Sequence, residues 1–397
     1  MIAEHIPYSG TLLIERIGAL YHQPGKAPLT DAWLLMKDGV VEALGQGSAP
    51  TAEHRRDVGG GVVIPAPLDA HTHLLFGGDR SDEFNSRSLG ESYEQRLARG
   101  GGIHATVEAT AAAHDEVLIR TALQRVQHAM HLGLRAVEVK TGYGLTIEAE
   151  DRLITLLERL RSLAPIDVYP TLLAHVPPKG SDAAAVAQGF ADHLIPRAAA
   201  LGFGFDVFVE AGAFGIKEAE VMLAAAQRRN MRIHVHADQL SATGATGLAA
   251  RYGAASAEHI EFASAADIEA LAAAGTMANL LPGAWLQTGC AARPPVERLR
   301  AAGVPFIVST DLNPGSSYLY DLITAASLAI SAFGLTVDEA LAAITTHPAR
   351  ALGVSELGGL SAGERGRPWW LPFPSAAALF QRLHAPQRGL QFVGDNA

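Results

Sequence analysis

The chain has 397 residues, 48% of them hydrophobic, which is enough for two or three ordinary domains or for one large barrel with a smaller companion. A formal charge of −10 argues against nonspecific nucleic-acid binding, and it means that any anionic ligand must be met by a local cation. The single cysteine, Cys290, excludes an intrachain disulfide; no secretory signal is apparent and no apolar run nears the ~20 residues of a membrane span, so a cytoplasmic protein without a membrane partner is expected.

Residues 1 to about 61 read as short strands at 12–20, 32–37 and 39–45, with a turn at Lys37-Asp38-Gly39. They form part of a small β domain in which no chemistry is visible. The next stretch, residues 62–79, opens as an apolar, β-branched run and reads as a buried strand ending in His71-Thr72-His73. Side chains two apart on a strand point the same way, so both imidazoles can reach one point in space. Imidazole is the commonest neutral metal ligand. The plainer alternative is two histidines that only hydrogen-bond in a loop.

From there short β-rich runs alternate with Ala- and Leu-rich helical stretches. The runs lie at 134–140, 166–175, 205–210, 231–236, 256–261, 276–282 and 305–311; the helices include 115–132, 147–163, 217–229, 265–274 and 293–302. With the first strand this makes eight units, an α/β pattern that predicts a closed (β/α)8 barrel over residues 62–347. An open doubly wound sheet is the alternative, but no G-x-G-x-x-G follows any of the strands. Residues 348–397 are expected to return to the β domain.

A barrel of this kind carries its catalytic groups at the C-terminal strand ends. His71, His73, Lys140, Tyr143, His175, Glu210, His236, His259 and Asp311 all fall at or just beyond such ends. Three histidines and a carboxylate suit zinc or ferrous iron, which assigns His71, His73, His236 and Asp311 to one divalent metal per chain. His234 reads as a histidine deeper in the barrel, and His259 as a fifth ligand or an acid–base group. Such a metal makes hydroxide available near neutral pH, and Asp311 could take a water proton with its second oxygen. No G-x-S-x-G elbow is present, which disfavours a serine hydrolase.

These features resemble the amidohydrolase superfamily and, within it, the imidazolonepropionases of histidine degradation. The likeness runs from about residue 10 to 360, through D-A-H-T-H-L, G-G-D-R-S-D-E-F, A-R-G-G-G-I, E-V-K-T-G-Y-G-L, H-V-H-A-D-Q-L-S, S-A-E-H-I-E and S-T-D-L-N-P-G-S-S. It implies one zinc or iron on the four residues named, and Arg80 as the group that meets an anionic small-molecule substrate. Tyr143, His175, Gln239, Asn313, Gly315 and Ser316 match substrate-pocket positions, and His259 a histidine near the reacting centre. The implied reaction is hydrolytic opening of 4-imidazolone-5-propanoate to N-formimidoyl-L-glutamate. A cyclic amide needs an attacking hydroxide, a polarised carbonyl and a protonated leaving nitrogen, roles open to the metal's water, to His175 or His259, and to Asp311. Lys140 could bridge two metals as in some relatives, but the resemblance favours a mononuclear site with Lys140 as a structural charge.

A purine or pyrimidine deaminase and a catalytically impaired metal-binding homologue remain as alternatives, and a homodimer is the expected assembly. The sequence departs from the family after Gly366, where R-P-W-W-L-P-F-P replaces the expected closing strand. Pro368, Pro372 and Pro374 should break any regular strand there, so this tail is expected to add little to the β domain.

Overall fold

The computed structural model describes residues 10–90, 102–381 and 391–392. Residues 98–101 of the A-R-G-G-G-I segment lie outside the described residues. Two sheets organise the chain. The first contains β1 (Thr11–Leu20), β2 (Leu29–Lys37), β3 (Val40–Gln46), β4 (His54–Asp57) and β5 (Val62–Pro65), joined from the far end of the chain by β14 (Pro368–Leu371) and β15 (Gln391–Phe392). Its order is β15-β14-β5-β1-β2-β3, with β4 also paired to β1. The β2–β3 turn needs left-handed backbone at Asp38 (φ 49°) and Gly39 (φ 78°), the two residue types that enter that region most easily.

The second sheet is the barrel. Its staves are β6 (Leu68–Asp69), β7 (Ala136–Lys140), β8 (Asp167–Ala174), β9 (Gly204–Val209), β10 (Ile233–Ala237), β11 (Ser256–His259), β12 (Met277–Leu280) and β13 (Phe306–Val308), in sequence order and all parallel. A parallel bridge between Thr72 and Leu312 joins the first stave to the last. Helices wrap the outside and bury their apolar faces on the staves. One example is Ile147–Leu163, which starts where Thr146 accepts a hydrogen bond from the Ala149 amide and buries Leu153, Ile154, Leu157 and Leu160. Among the described residues no helix is long and apolar enough to cross a membrane.

Three expectations need correction. The apolar run at 62–65 is not a barrel stave; β5 pairs with β1 and β14 in the small sheet, and the first stave is only Leu68–Asp69. Pro65 and Pro67 interrupt the run, since neither can donate to a ladder. The expected boundary at residue 347 falls inside a helix, Thr346–Leu352. That helix packs Ala351 and Leu352 against Met277 and Ile307 on the last two staves and against Ala70 just after the first. Finally, the tail does complete the small sheet. Pro368 opens β14, the position where a missing N–H matters least, while Pro372 and Pro374 fall after the strand. Trp369 and Trp370 then point to opposite faces: Trp369 is fully buried in the barrel's core, whereas Trp370 packs on the small domain's core. The Trp369 ring also explains Gly133, where a Cβ would stand 2.6 Å from it.

Candidate active site

The seam that closes the barrel is also where the metal-ligand candidates sit. The His73 amide donates to Leu312 O (2.9 Å) and the Asp311 amide to His71 O (3.1 Å), so the H-x-H pair and Asp311 are locked together by backbone. His236 enters from β10. His73 Nε2 stands 3.2 Å from His71 Nε2 and 3.4 Å from His236 Nε2, while Asp311 Oδ1 lies 3.5 Å from His71 Nε2 and 3.3 Å from His73 Nε2. Donors held tetrahedrally ~2.0–2.2 Å from one ion are ~3.3–3.6 Å apart, so this spacing fits a single divalent metal. Among the described residues His71, His73 and His236, all buried, are the group whose ligand atoms lie close enough together to hold one metal ion; Asp311, at 3.3–3.5 Å from two of them, stands beside that group rather than in it.

The electrostatics fit as well. Burial and Lys140 pull the His71 imidazole down, but hydrogen bonds to Asp311 and Glu258 outweigh them and raise it to about 9. Burial would raise the Asp311 carboxyl, yet His71 and His73 hold it well below the usual range. Burial drives His73 well below its ordinary value, which keeps a neutral ligand.

A ring of carboxylates aims these ligands. Glu258 Oε2 lies 3.0 Å from His71 Nδ1, and Asp206 Oδ2 lies 3.0 Å from His236 Nδ1. Partners of this kind fix the tautomer and raise ligand basicity. The Lys140 ammonium sits 2.8 Å from Glu138 Oε1 and 2.9 Å from Asp206 Oδ2, fully buried. Burial works against that charge, but Asp206 and Glu138 outweigh it and hold it. Lys140 is thus a structural counter-ion, and Glu138 passes its hold to the H-x-H turn by accepting from the Thr72 amide (3.1 Å). His234 is deeper, bonded through Nδ1 to Ser256 Oγ (2.7 Å), outside the metal group.

His175 and His259 flank the cluster. His175 Nδ1 meets the Gly142 carbonyl (3.1 Å), which can only accept, so Nδ1 carries the proton and Nε2 is left as a lone pair. Its ring stacks on His73 and lies 5.7 Å from Tyr143; burial lowers it to about 4. His259 ends β11 with φ 70°, followed by Ile260 at φ 64°, an unusual pair of left-handed residues at a barrel rim. Its ring centroid is 5.5 Å from that of His236 and 6.0 Å from that of His71, and burial lowers it to about 3. His259 is not in the metal group.

The remaining pocket candidates divide. Tyr143 is buried, with its ring 6.3 Å from those of His73 and Phe76, and its hydroxyl is pushed up by burial and by Asp311. Arg80 and Gly315, with Phe84, Gln287 and Tyr318, line a cavity of about 360 Å³. Gln239 stands partly buried on the rim after β10, in a loop whose Leu240 and Ser241 amides are held by Glu210. Asn313 builds the loop: its amide nitrogen donates to Asp311 O (2.7 Å) and Ser316 Oγ (3.0 Å), and its oxygen accepts from the Gly315 and Ser316 amides.

Glu138, Asp206 and Glu258 escaped the sequence reading as functional residues. A carboxylate inside an otherwise apolar strand run was the available signal, because such a group is seldom buried unpaired.

An amidohydrolase family profile matches residues 180–366. Among solved structures, an atrazine chlorohydrolase from Arthrobacter aurescens complexed with zinc superposes with a TM-score of 0.69 at 15% identity, covering 95% of this chain and 92% of that one. An adenosine deaminase from Xanthomonas campestris with bound zinc gives 0.65 at 18%, covering 96% and 88%. Fold and profile together define an amidohydrolase of the (β/α)8 type, with a three-histidine group suited to a divalent metal.

The sequence relatives are narrower. An imidazolonepropionase of Deinococcus deserti is 44% identical over 340 residues, 85% of this chain and 84% of that protein, and one of Xanthomonas oryzae is 45% identical over 305 residues, 76% of each. The chain belongs to the imidazolonepropionase family.

Proposed function

We propose that this protein opens 4-imidazolone-5-propanoate to N-formimidoyl-L-glutamate in histidine degradation, with one zinc or iron ion per chain, working in the cytoplasm as a homodimer. The observation that carries the reading is the convergence of His71, His73, His236 and Asp311 on one barrel rim that also bears the Arg80 cavity, in a chain 44% identical to a curated imidazolonepropionase.

When bound, the metal supplies a Lewis acid that lowers the pKa of water towards ~7. Asp311, with one oxygen toward the histidines, takes the proton of the attacking water on the other. His259, neutral in its buried site, donates a hydrogen bond to the carbonyl oxygen as charge builds there. His175 offers a lone pair at Nε2 and suits a ring N–H of the substrate rather than its carbonyl. Arg80 grips the propanoate. Water adds across the ring C–N bond: hydroxide goes to the carbonyl carbon, the bond to nitrogen breaks, and Asp311 returns its proton to that nitrogen.

The test is ultraviolet monitoring of imidazolone propanoate with purified, metal-loaded protein. Decay of the substrate band with appearance of N-formimidoyl-L-glutamate is expected, and a flat trace overturns the proposal. Light scattering checks the dimer.

A further inference from the structure

We infer that Glu83 is a positioning residue that aims Arg80 at the substrate carboxylate, an inference that rests on the reaction proposed above. Glu83 is buried, and its two oxygens do different things. Oε2 accepts from Arg80 Nη2 at 2.7 Å, and Oε1 accepts from the Gly102 amide at 2.9 Å. Gly102 precedes the helix Ile103–Ala112, so one carboxylate ties the arginine to a second element. The same helix meets the loop again at its other end. A Cβ at Gly77 would stand 2.7 Å from the Ala109 carbonyl oxygen, and one at Gly78 would stand 2.6 Å from Ala109 Cβ. The two glycines let the loop seat on the helix, and Glu83 then fixes its outer part. This gives the G-G-D-R-S-D-E-F segment a physical purpose that substrate contact by Arg80 alone does not.

The opposite side of the guanidinium is set by Gly315. A Cβ there would lie 2.1 Å from Arg80 Nη1, and the backbone at Gly315 is not left-handed, so the glycine serves close approach rather than conformation. Arg80 is therefore held between a carboxylate and a bare backbone. Arg80 Nε is buried without a partner among the described residues. A guanidinium has five donors, so pairing at Nη2 leaves others for a substrate carboxylate. An arginine already fixed in place loses less rotamer freedom on binding, which lowers KM more than it raises kcat.

The experiment measures KM and kcat for imidazolone propanoate, and for an analogue without the carboxylate as substrate or competitive inhibitor. The proteins are wild type, Arg80→Ala, Glu83→Gln and the double variant. Glu83→Gln should raise KM for the carboxylate substrate about tenfold, lower kcat less than about threefold, and leave the analogue within about twofold. Added to Arg80→Ala, it should change catalytic efficiency less than about twofold, because its effect runs through Arg80. Gly315→Ala approaches the same arginine from the other side and should show the same carboxylate-specific rise, should the Glu83 variant fold poorly. Equal losses on both ligands, or effects that simply multiply in the double variant, overturn the role of Glu83. Wild-type protein that leaves imidazolone propanoate unchanged overturns the proposed reaction and this inference with it.

Discussion

The metal cluster and the C-terminal strand β14 are both buried and both assembled from distant parts of the chain, yet they are held by opposite means. At the cluster, histidines, carboxylates and one lysine neutralise each other within about 3 Å, and each group depends on the next. At β14 the main contribution is apolar area, with Trp369 in one core and Trp370 against the other. Removing one member of a charged network leaves a buried group uncompensated, whereas removing an apolar side chain leaves a cavity whose cost is local. Substitutions at the first should abolish chemistry and metal binding as well as costing stability; those at the second should weaken the fold with the chemistry retained.

The sharpest break should come from His73→Ala, whose imidazole faces both other histidines. Turnover should fall at least ~1000-fold and the metal content should drop; elemental analysis of protein that is active without metal would remove the assignment. Asp311→Asn should come next, losing ~100- to 10,000-fold in turnover even where some metal remains, because an amide cannot accept the proton. Near-normal rates in a metal-loaded Asn variant would reject that role. On the other side of the comparison, Trp369→Ala should cost ~3–5 kcal/mol in denaturant unfolding while the kcat of the folded fraction holds. A melting curve that does not move would show that β14 is ornamental. The smallest effect should be Glu258→Gln, which keeps the shape beside His71 but loses the charge: metal affinity should weaken ~10–100-fold, read by competition with a chelator.

What the sequence disclosed follows the same division. The two-residue spacing of His71 and His73, and the strand ends at His236 and Asp311, could be read directly, because period and residue type are local properties. Eight alternating units were enough for the barrel. The carboxylates behind the ligands were not read, since nothing local distinguishes Asp206 or Glu258 from a solvated acid; only barrel closure places them against histidines from other staves. Asn313 shows how a residue's local work stays hidden in a motif. It matches a pocket position near Asp311, and its side-chain amide also makes five bonds within its own loop, which nothing in the local sequence announces. In the tail it is the place of each proline, not the number, that decides whether a strand forms. Pro368 opens the strand and the others follow it, so β14 forms.

The closure of the barrel has a consequence in time. Thr72 and Leu312 meet across the seam, and the proposed ligands His71, His73 and Asp311 stand on either side of it. These contacts join distant parts of the sequence, so closing them carries a high loop entropy and we expect them among the slowest to form. A metal ion has no complete site until that last pairing is made. During refolding, uptake of a spectroscopically visible ion such as cobalt should therefore coincide with the final phase, and so act as a clock for the moment the barrel shuts.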